Sequence, residues 1–244
     1  MISRRTWLHL TAQAAAACVA VGRFLFGRAA FAGQRRQAVP QVSLNPDGKH
    51  WDSFLHELQA LTRAQYDPDW SETAHVEAVA SLLGTVDVSD PALQQLLDRY
   101  RNSRRGFPEI RTVHDGGDFA VTVLQFHAGE TIELHDHPRM TGVILCITGS
   151  VRIEAFTLLE GTTPDGHLRI RHEGDVVLGP GDFATLVSDH GNIHALEATE
   201  WCELIDVFTP PYTPDRSEEY RRYGRSGAPV EGSDIYAAWV LDEA

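Results

Sequence analysis

From Glu109 onward, apolar residues recur at every second position in short runs. That period belongs to β-strands, whose side chains alternate between two faces. The runs fall at residues 110–113, 119–126, 131–134, 142–147, 151–156, 168–172, 176–178, 183–187, 193–197 and 202–208. Turn-forming residues separate them, among them Gly116-Gly117, Gly129-Glu130, Gly149-Ser150, Pro164-Asp165-Gly166, Gly179-Pro180-Gly181-Asp182 and Gly191-Asn192. Parallel strands need helical crossovers, and no helical pattern interrupts these runs. The expected architecture is a mainly β, antiparallel sandwich or barrel.

Upstream the period is that of a helix. Trp51, Phe54, Leu55, Leu58 and Leu61 share one face of a helix over residues 51–65. Residues 71–83 repeat the pattern behind Ser71, a good N-cap. Asp90-Pro91 opens a third helix to about residue 100, with proline at the first helical position. Nothing in these helices suggests chemistry, and their apolar faces need a surface to pack on. The charged, Tyr-rich tail from Pro210 is expected to hold a helical turn around 217–222 and an edge strand at 235–240. The expected organisation is a leader at 1–32, a linker at 33–50, a helical subregion at 51–105 and a barrel with its C-terminal extension at 106–244.

The leader is a different kind of sequence. Ser3-Arg4-Arg5-Thr6-Trp7-Leu8 precedes an Ala-rich run at 11–22, and Ala30-Phe31-Ala32 has the small-x-small form of a cleavage site. Arg23 interrupts the run too soon for a membrane span. The segment resembles a twin-arginine signal peptide, which implies export of a folded protein to the periplasm or beyond, without stable membrane insertion. The bland alternative is a basic tail. The formal net charge of −13 argues against nucleic acid or an anionic membrane surface as a partner. Cys146 and Cys202 lie in apolar runs, with spacing that fits neither a disulfide framework nor a zinc ribbon, and are expected to be buried free thiols, with a single bridge as the alternative.

His135 and His137 stand one residue apart in the strand-like run that follows Gly129-Glu130. Side chains at i and i+2 of a strand share a face, so the pair makes half of a metal site. His167, His172, His190 and His194 are the downstream candidates for the other half. His167 follows a Pro-Asp-Gly turn, and His172 alternates with Arg169 and Arg171 on a charged face. His194 enters a strand directly after a loop, as a ligand at a barrel mouth would, and His190 in that loop is its main competitor.

The spacing Gly129-x5-His135-x-His137, followed by Gly149, resembles the first motif of the cupin superfamily, a double-stranded β-helix. That motif has a Glu ligand four or five positions after the second histidine, where this chain has Thr141 and Gly142. Three neutral imidazoles leave the full divalent charge on a metal and up to three positions open. A narrower resemblance follows. Leu134-His135-Asp136-His137-Pro138-x-Met140-Thr141 is similar to the LH(N/D)HPGMT signature of the cysteamine dioxygenase and plant cysteine oxidase family. Gly191-Asn192-Ile193-His194 resembles its GN(I/M)H element, and residues 204–212, ending Pro210-Pro211-Tyr212, resemble its LDVLxPPY element. The similarity runs from the helices near Trp51 to about Tyr223.

The resemblance implies a cupin barrel holding mononuclear, non-haem Fe(2+) on His135, His137 and His194. It implies transfer of both atoms of dioxygen to a small thiol or a Cys-initiated peptide, giving a sulfinic acid. No organic cofactor is needed, since the thiol supplies all four electrons. Asp206 and Tyr212 match the family's pocket residues. Asp206 would receive a substrate ammonium or fix a ligand histidine, and Tyr212 would donate a hydrogen bond to substrate or oxygen. The family's glycine after His-Pro is Arg139 here, which would bind a substrate carboxylate, pair with a nearby acid or point to solvent. A monomer is expected. The competing readings are another cupin metalloenzyme, such as a ring-cleaving dioxygenase or an isomerase, and an exported, non-enzymatic cupin that binds a small ligand.

Overall fold

The computed structural model describes residues 48–103, 108–210 and 220–241. The expected leader, most of the linker and Tyr212 lie outside the described residues. Three helices come first: α1 (Trp51–Thr62), which runs into a 3-10 turn at Arg63–Tyr66, α2 (Glu72–Leu83) and α3 (Pro91–Ser103). The second and third starts have a local cause. The Ser71 hydroxyl accepts the Ala74 N–H at 3.4 Å, and the Asp90 carboxylate accepts the N–H groups of Ala92 at 2.8 Å and Leu93 at 3.2 Å. In α1, Trp51, Phe54 and Leu58 form the buried stripe that the periodicity predicts. No helix among the described residues is long and apolar enough to cross a membrane.

The strands are β1 (Glu109–Asp115), β2 (Ala120–Phe126), β3 (Thr131–Asp136), β4 (Thr141–Thr148), β5 (Val151–Thr162), β6 (Leu168–Leu178), β7 (Phe183–Leu186), β8 (Ile193–Ala198), β9 (Cys202–Thr209), β10 (Arg222–Arg225) and β11 (Ile235–Leu241). One sheet has the order β1-β2-β9-β4-β7. The other runs β10-β11-β6-β5-β8-β3 and closes on itself where Arg222 of β10 pairs with His135 of β3. All of these pairings are antiparallel. The protein is mainly β, a double-stranded β-helix with a few helices.

Its packing explains why β2 and β9 read as nearly continuous apolar runs. Both are buried along their whole length. Val121, Val123, Ile205 and Val207 point outward into a core shared with Phe54, Leu58 and Val79 of the helices. Leu124, Phe126, Cys202 and Leu204 point inward against Val151, Ile153 and Leu196 of the second sheet. A strand covered on both faces has no polar side to alternate with. At the β4–β5 turn, Gly149 has φ 74°, and a Cβ there would lie 1.8 Å from the Trp201 carbonyl oxygen, so only glycine fits. Cys146 and Cys202 are free and buried, and burial pushes both thiols up to about 12.

Four expectations need correction. Residues 168–172 and 176–178 belong to one strand, β6, because a bulge and not a turn lies between them. Ala155 pairs with Gly174 and Phe156 with His172, so Glu173 is the extra residue, and Gly174 takes φ 131°. Arg222, expected at the end of a helical turn, opens strand β10; residues 217–219 lie outside the described residues. The strand near the C-terminus is not an edge, because β11 is flanked by β10 and β6. The first helix ends at Thr62, short of residue 65, and the third continues to Ser103.

Candidate metal centre

His135 and His194 are register partners on the neighbouring strands β3 and β8, and His137 lies just beyond the end of β3. Their Nε2 atoms converge: His137 to His194 is 3.0 Å and His194 to His135 is 3.2 Å. Ligands about 2.1 Å from one ion and about 90° apart would stand about 3 Å from each other. Hydrogen bonding alone is a poor account of the cluster, since an Nε2 carries at most one proton to share with two neighbours. Burial pushes His135 down to about 4 and holds His137 and His194 well below the usual imidazole range. All three are therefore neutral at physiological pH, the protonation state that binds a metal. His135 Nδ1 lies 2.7 Å from the Glu133 carbonyl oxygen, which can only accept. Its Nε2 lone pair is thereby aimed into the cluster. The donor set fits a divalent transition metal.

The other histidines are elsewhere. His190 is mostly exposed, with Nε2 3.8 Å from Glu173, and His167 lies against Trp239. His172 joins Glu154 and Asp175 in a second group that could in principle hold an ion. There, however, Arg225 pairs with Glu154 at 2.8 Å and Arg152 with Asp175 at 2.5 Å, so an ion-pair network already matches the acids.

Two residues that hold the ligands carried little signal in the sequence. Asn192 accepts the His137 N–H through Oδ1 and donates through Nδ2 to the His137 carbonyl, both at 2.8 Å, so the loop before His194 clamps the loop of His137. Asp136, between the two ligands of β3, points to the opposite face and is 2% exposed. It accepts from the Arg221 N–H at 2.8 Å, Arg221 Nε at 2.9 Å and the Tyr223 hydroxyl at 2.7 Å. The strand that closes the second sheet is thus latched to the strand that carries the ligands. Tyr220 adds a wall, its ring 5.5 Å from that of His135. The signals that could have found Asp136 were its burial-prone position between two ligands and the basic, tyrosine-bearing run downstream.

Asp206 lies on the inner face of β9, between Leu204 of the inner core and Phe208, whose ring stacks on His137 at 4.9 Å. The alternation along β9 turns Asp206 inward, since Ile205 and Val207 face the helices. Asp206 is 4% exposed, its Oδ1 has no hydrogen-bond partner, and burial drives its carboxyl well above the usual range. Arg139 is exposed at the turn after His137 and takes φ 57°. A left-handed backbone accounts for a glycine in the resembled signature; a non-glycine residue there costs about 1 kcal/mol.

Gly142, where a cupin carboxylate ligand would project, opens instead onto a cavity of about 180 Å³ that His194 also lines. The cluster therefore offers three nitrogen donors that could hold a metal, with a cavity beside one of them.

The chain is similar to known proteins of one family. Residues 82–234, more than half of the chain, match the family described as PCO_ADO. Human 2-aminoethanethiol dioxygenase is 27% identical over 137 residues, covering 46% of this chain and 50% of that protein. Plant cysteine oxidase 2 of Arabidopsis thaliana is 22% identical over 147 residues, covering 57% of this chain and 53% of that protein. The chain spans about half the length of the curated relatives it matches. Among solved structures, a Klebsiella pneumoniae protein with a double-stranded β-helix domain aligns at 22% identity and a TM-score of 0.36, covering 47% of this chain and 86% of that one. The chain belongs to the PCO_ADO family.

Proposed function

We propose that this protein is a thiol dioxygenase that holds iron(II) on His135, His137 and His194 and converts a thiol to its sulfinic acid. The observation that carries the reading is the convergence of three neutral imidazoles beside free space in a chain of this family. The reaction balances without another cofactor. The thiol sulfur loses four electrons, dioxygen gains them, and both oxygen atoms end on sulfur. Iron held by three imidazoles supplies the Lewis acidity that lowers a thiol's pKa and the redox capacity to activate dioxygen. The chain's own groups orient and protect. Asn192 clamps the backbone at His137 and the Glu133 carbonyl fixes the ring of His135, while Phe208 and Tyr220 pack on the rings of His137 and His135. Asp206, whose carboxyl burial pushes well above the usual carboxylate range and whose Oδ1 has no partner, is suited to hold a proton or donate a hydrogen bond within the site. In this reading Tyr212 supplies a second hydrogen-bond donor, and Arg139 stays in the turn and binds no substrate.

The substrate is a small thiol or the N-terminal cysteine of a peptide. The leader makes the protein a twin-arginine export substrate, with iron inserted before the folded chain leaves the cytoplasm, and the protein acts as a monomer. Fusing residues 1–32 to a reporter tests export: mutating Arg4 and Arg5 to lysine should keep the reporter inside the cell. The activity test uses protein loaded anaerobically with iron(II). Oxygen uptake is followed with cysteamine, cysteine, 3-mercaptopropionate and a Cys-initiated peptide, with mass analysis of each product. A product heavier by two oxygen atoms is expected. No uptake with any thiol, despite stoichiometric iron, would move the function to another cupin chemistry or to binding alone.

A further inference from the structure

Two aromatic rings flank the three histidines, and they are placed differently. Phe208 is buried and stacks on His137 at 4.9 Å with the planes 28° apart, so little of that ring is open to a ligand. Tyr220 is half-buried and stands against His135 at 5.5 Å with the planes 38° apart. Its place is fixed through the next residue. The Arg221 N–H donates to the Asp136 carboxylate at 2.8 Å, and the Arg221 carbonyl accepts the Asp136 N–H at 3.1 Å. We propose that Tyr220 is a specificity-determining residue, presenting the face of its ring to the ammonium of an amine-bearing thiol such as the N-terminal cysteine of a peptide; this rests on the thiol dioxygenase reading above.

The charges around the ring leave this task to it. Asp136 accepts from Arg221 at 2.9 Å and from the Tyr223 hydroxyl at 2.7 Å, and Glu133 pairs with Arg222. The two acids next to the ring are thus matched by two arginines, and neither is left to receive an ammonium. Asp206 is the other acid of the site, and a carboxyl that burial pushes well above the usual range is a weak counter-ion. An ammonium that leaves water needs a replacement for its hydration. The negative face of an aromatic ring supplies one when the cation lies within about 6 Å of its centroid. Reach favours Tyr220 as well. In an N-terminal cysteine two carbons separate the sulfur from the nitrogen. With the sulfur held at the three histidines, the ammonium stays among the side chains that pack on those ligands. Of the two rings that do so, Tyr220 is the one that a ligand arriving from solvent can meet.

The test reads binding and does not need turnover. Protein loaded with cobalt(II) is titrated anaerobically with cysteamine and 1-propanethiol, following the thiolate-to-cobalt charge-transfer absorption. The two thiols have the same number of heavy atoms, and only cysteamine carries an ammonium. Their acidities differ, but by the same amount for every variant, so the ratio of the two Kd values isolates what position 220 contributes. Cysteamine should bind the wild type more tightly than 1-propanethiol. Tyr220→Leu and Tyr220→Met both remove the ring. In either one that holds stoichiometric cobalt, cysteamine should weaken about fivefold and 1-propanethiol by no more than about twofold. Tyr220→Phe should keep the wild-type ratio, because it loses the hydroxyl and keeps the ring face. Equal effects on the two thiols would reduce Tyr220 to a wall, and a ratio lost in Tyr220→Phe would assign recognition to the hydroxyl. Either result, or a wild type that does not prefer cysteamine, overturns the proposal and leaves the thiol reading standing. No charge-transfer band with either thiol, despite stoichiometric cobalt, overturns the thiol reading itself.

Discussion

Glu203 and Asp206 are both buried acids on β9, and they have opposite surroundings. Glu203 faces the helices, where Arg101 of α3 reaches it through Nε at 2.7 Å and Gln125 donates to it at 2.7 Å. Asp206 faces the inside of the sandwich, where it lacks a cation and its Oδ1 lacks any partner. The first acid is bonded as a structural tie between helix and sheet. The second carries a cost that the fold does not offset, which fits the proton-handling role proposed for it. The same strand thus shows what a satisfied and an unsatisfied buried carboxyl look like.

The contrast predicts opposite outcomes for removal. Asp206→Asn should lower kcat/KM for the preferred thiol about 100-fold or more, the range expected for a lost proton-handling group, while leaving metal content unchanged. Its unfolding free energy should not fall. Normal turnover in this variant would reduce Asp206 to a tolerated defect. Glu203→Ala should instead cost about 3 kcal/mol in urea denaturation, by leaving the Gln125 amide with only its longer bond to the Leu97 carbonyl and opening a void beside half-exposed Arg101, with metal affinity intact. A neutral result would mean that the tie between α3 and β9 does not hold the helix.

Stability against pH sharpens the comparison. The folded pKa of Asp206 is raised above its unfolded value, so its proton stabilises the fold. That contribution is full below the unfolded pKa, near 3.8. It is lost progressively as pH rises toward the folded pKa, at up to about 1.4 kcal/mol per pH unit. Unfolding midpoints of the wild type should therefore decline relative to Asp206→Asn as pH rises from about 4. A constant difference would contradict the unpaired, buried carboxyl.

Asp136 is the intermediate case, an acid that is fully bonded yet sits between two ligands. Asp136→Ala should weaken metal binding about 10–100-fold in chelator competition, through misplacement of His135 and His137. An unchanged affinity would show that β10 plays no part in holding the ligands. The smallest effect belongs to Arg139→Gly, which should raise stability by about 1 kcal/mol by relieving the left-handed backbone. A loss of stability would show that contacts of the Arg139 side chain outweigh that strain.

Much of this was legible in the chain. The helices were readable from a single face and their caps, and most of the strands from their period and turns. β2 and β9 kept their length despite burial on both faces, because glycine and charged turns bracket them. What failed was long-range. Gly174 looks like a turn until Ala155 and Phe156 are seen to pair across it. The pairing of Arg222 with His135, which closes the second sheet, spans too much sequence for a local pattern to encode. At the site, the His-x-His pair announced itself, but Asn192 and Asp136 act through contacts with distant segments, and the cavity exists only as space between two sheets.

The most direct test of the account is iron content after anaerobic reconstitution of the wild type, His194→Ala and His190→Ala. The account predicts one iron per chain in the wild type and in His190→Ala, and loss of bound iron in His194→Ala. Iron retained by His194→Ala and lost by His190→Ala would contradict the three-histidine centre on which the proposed function depends.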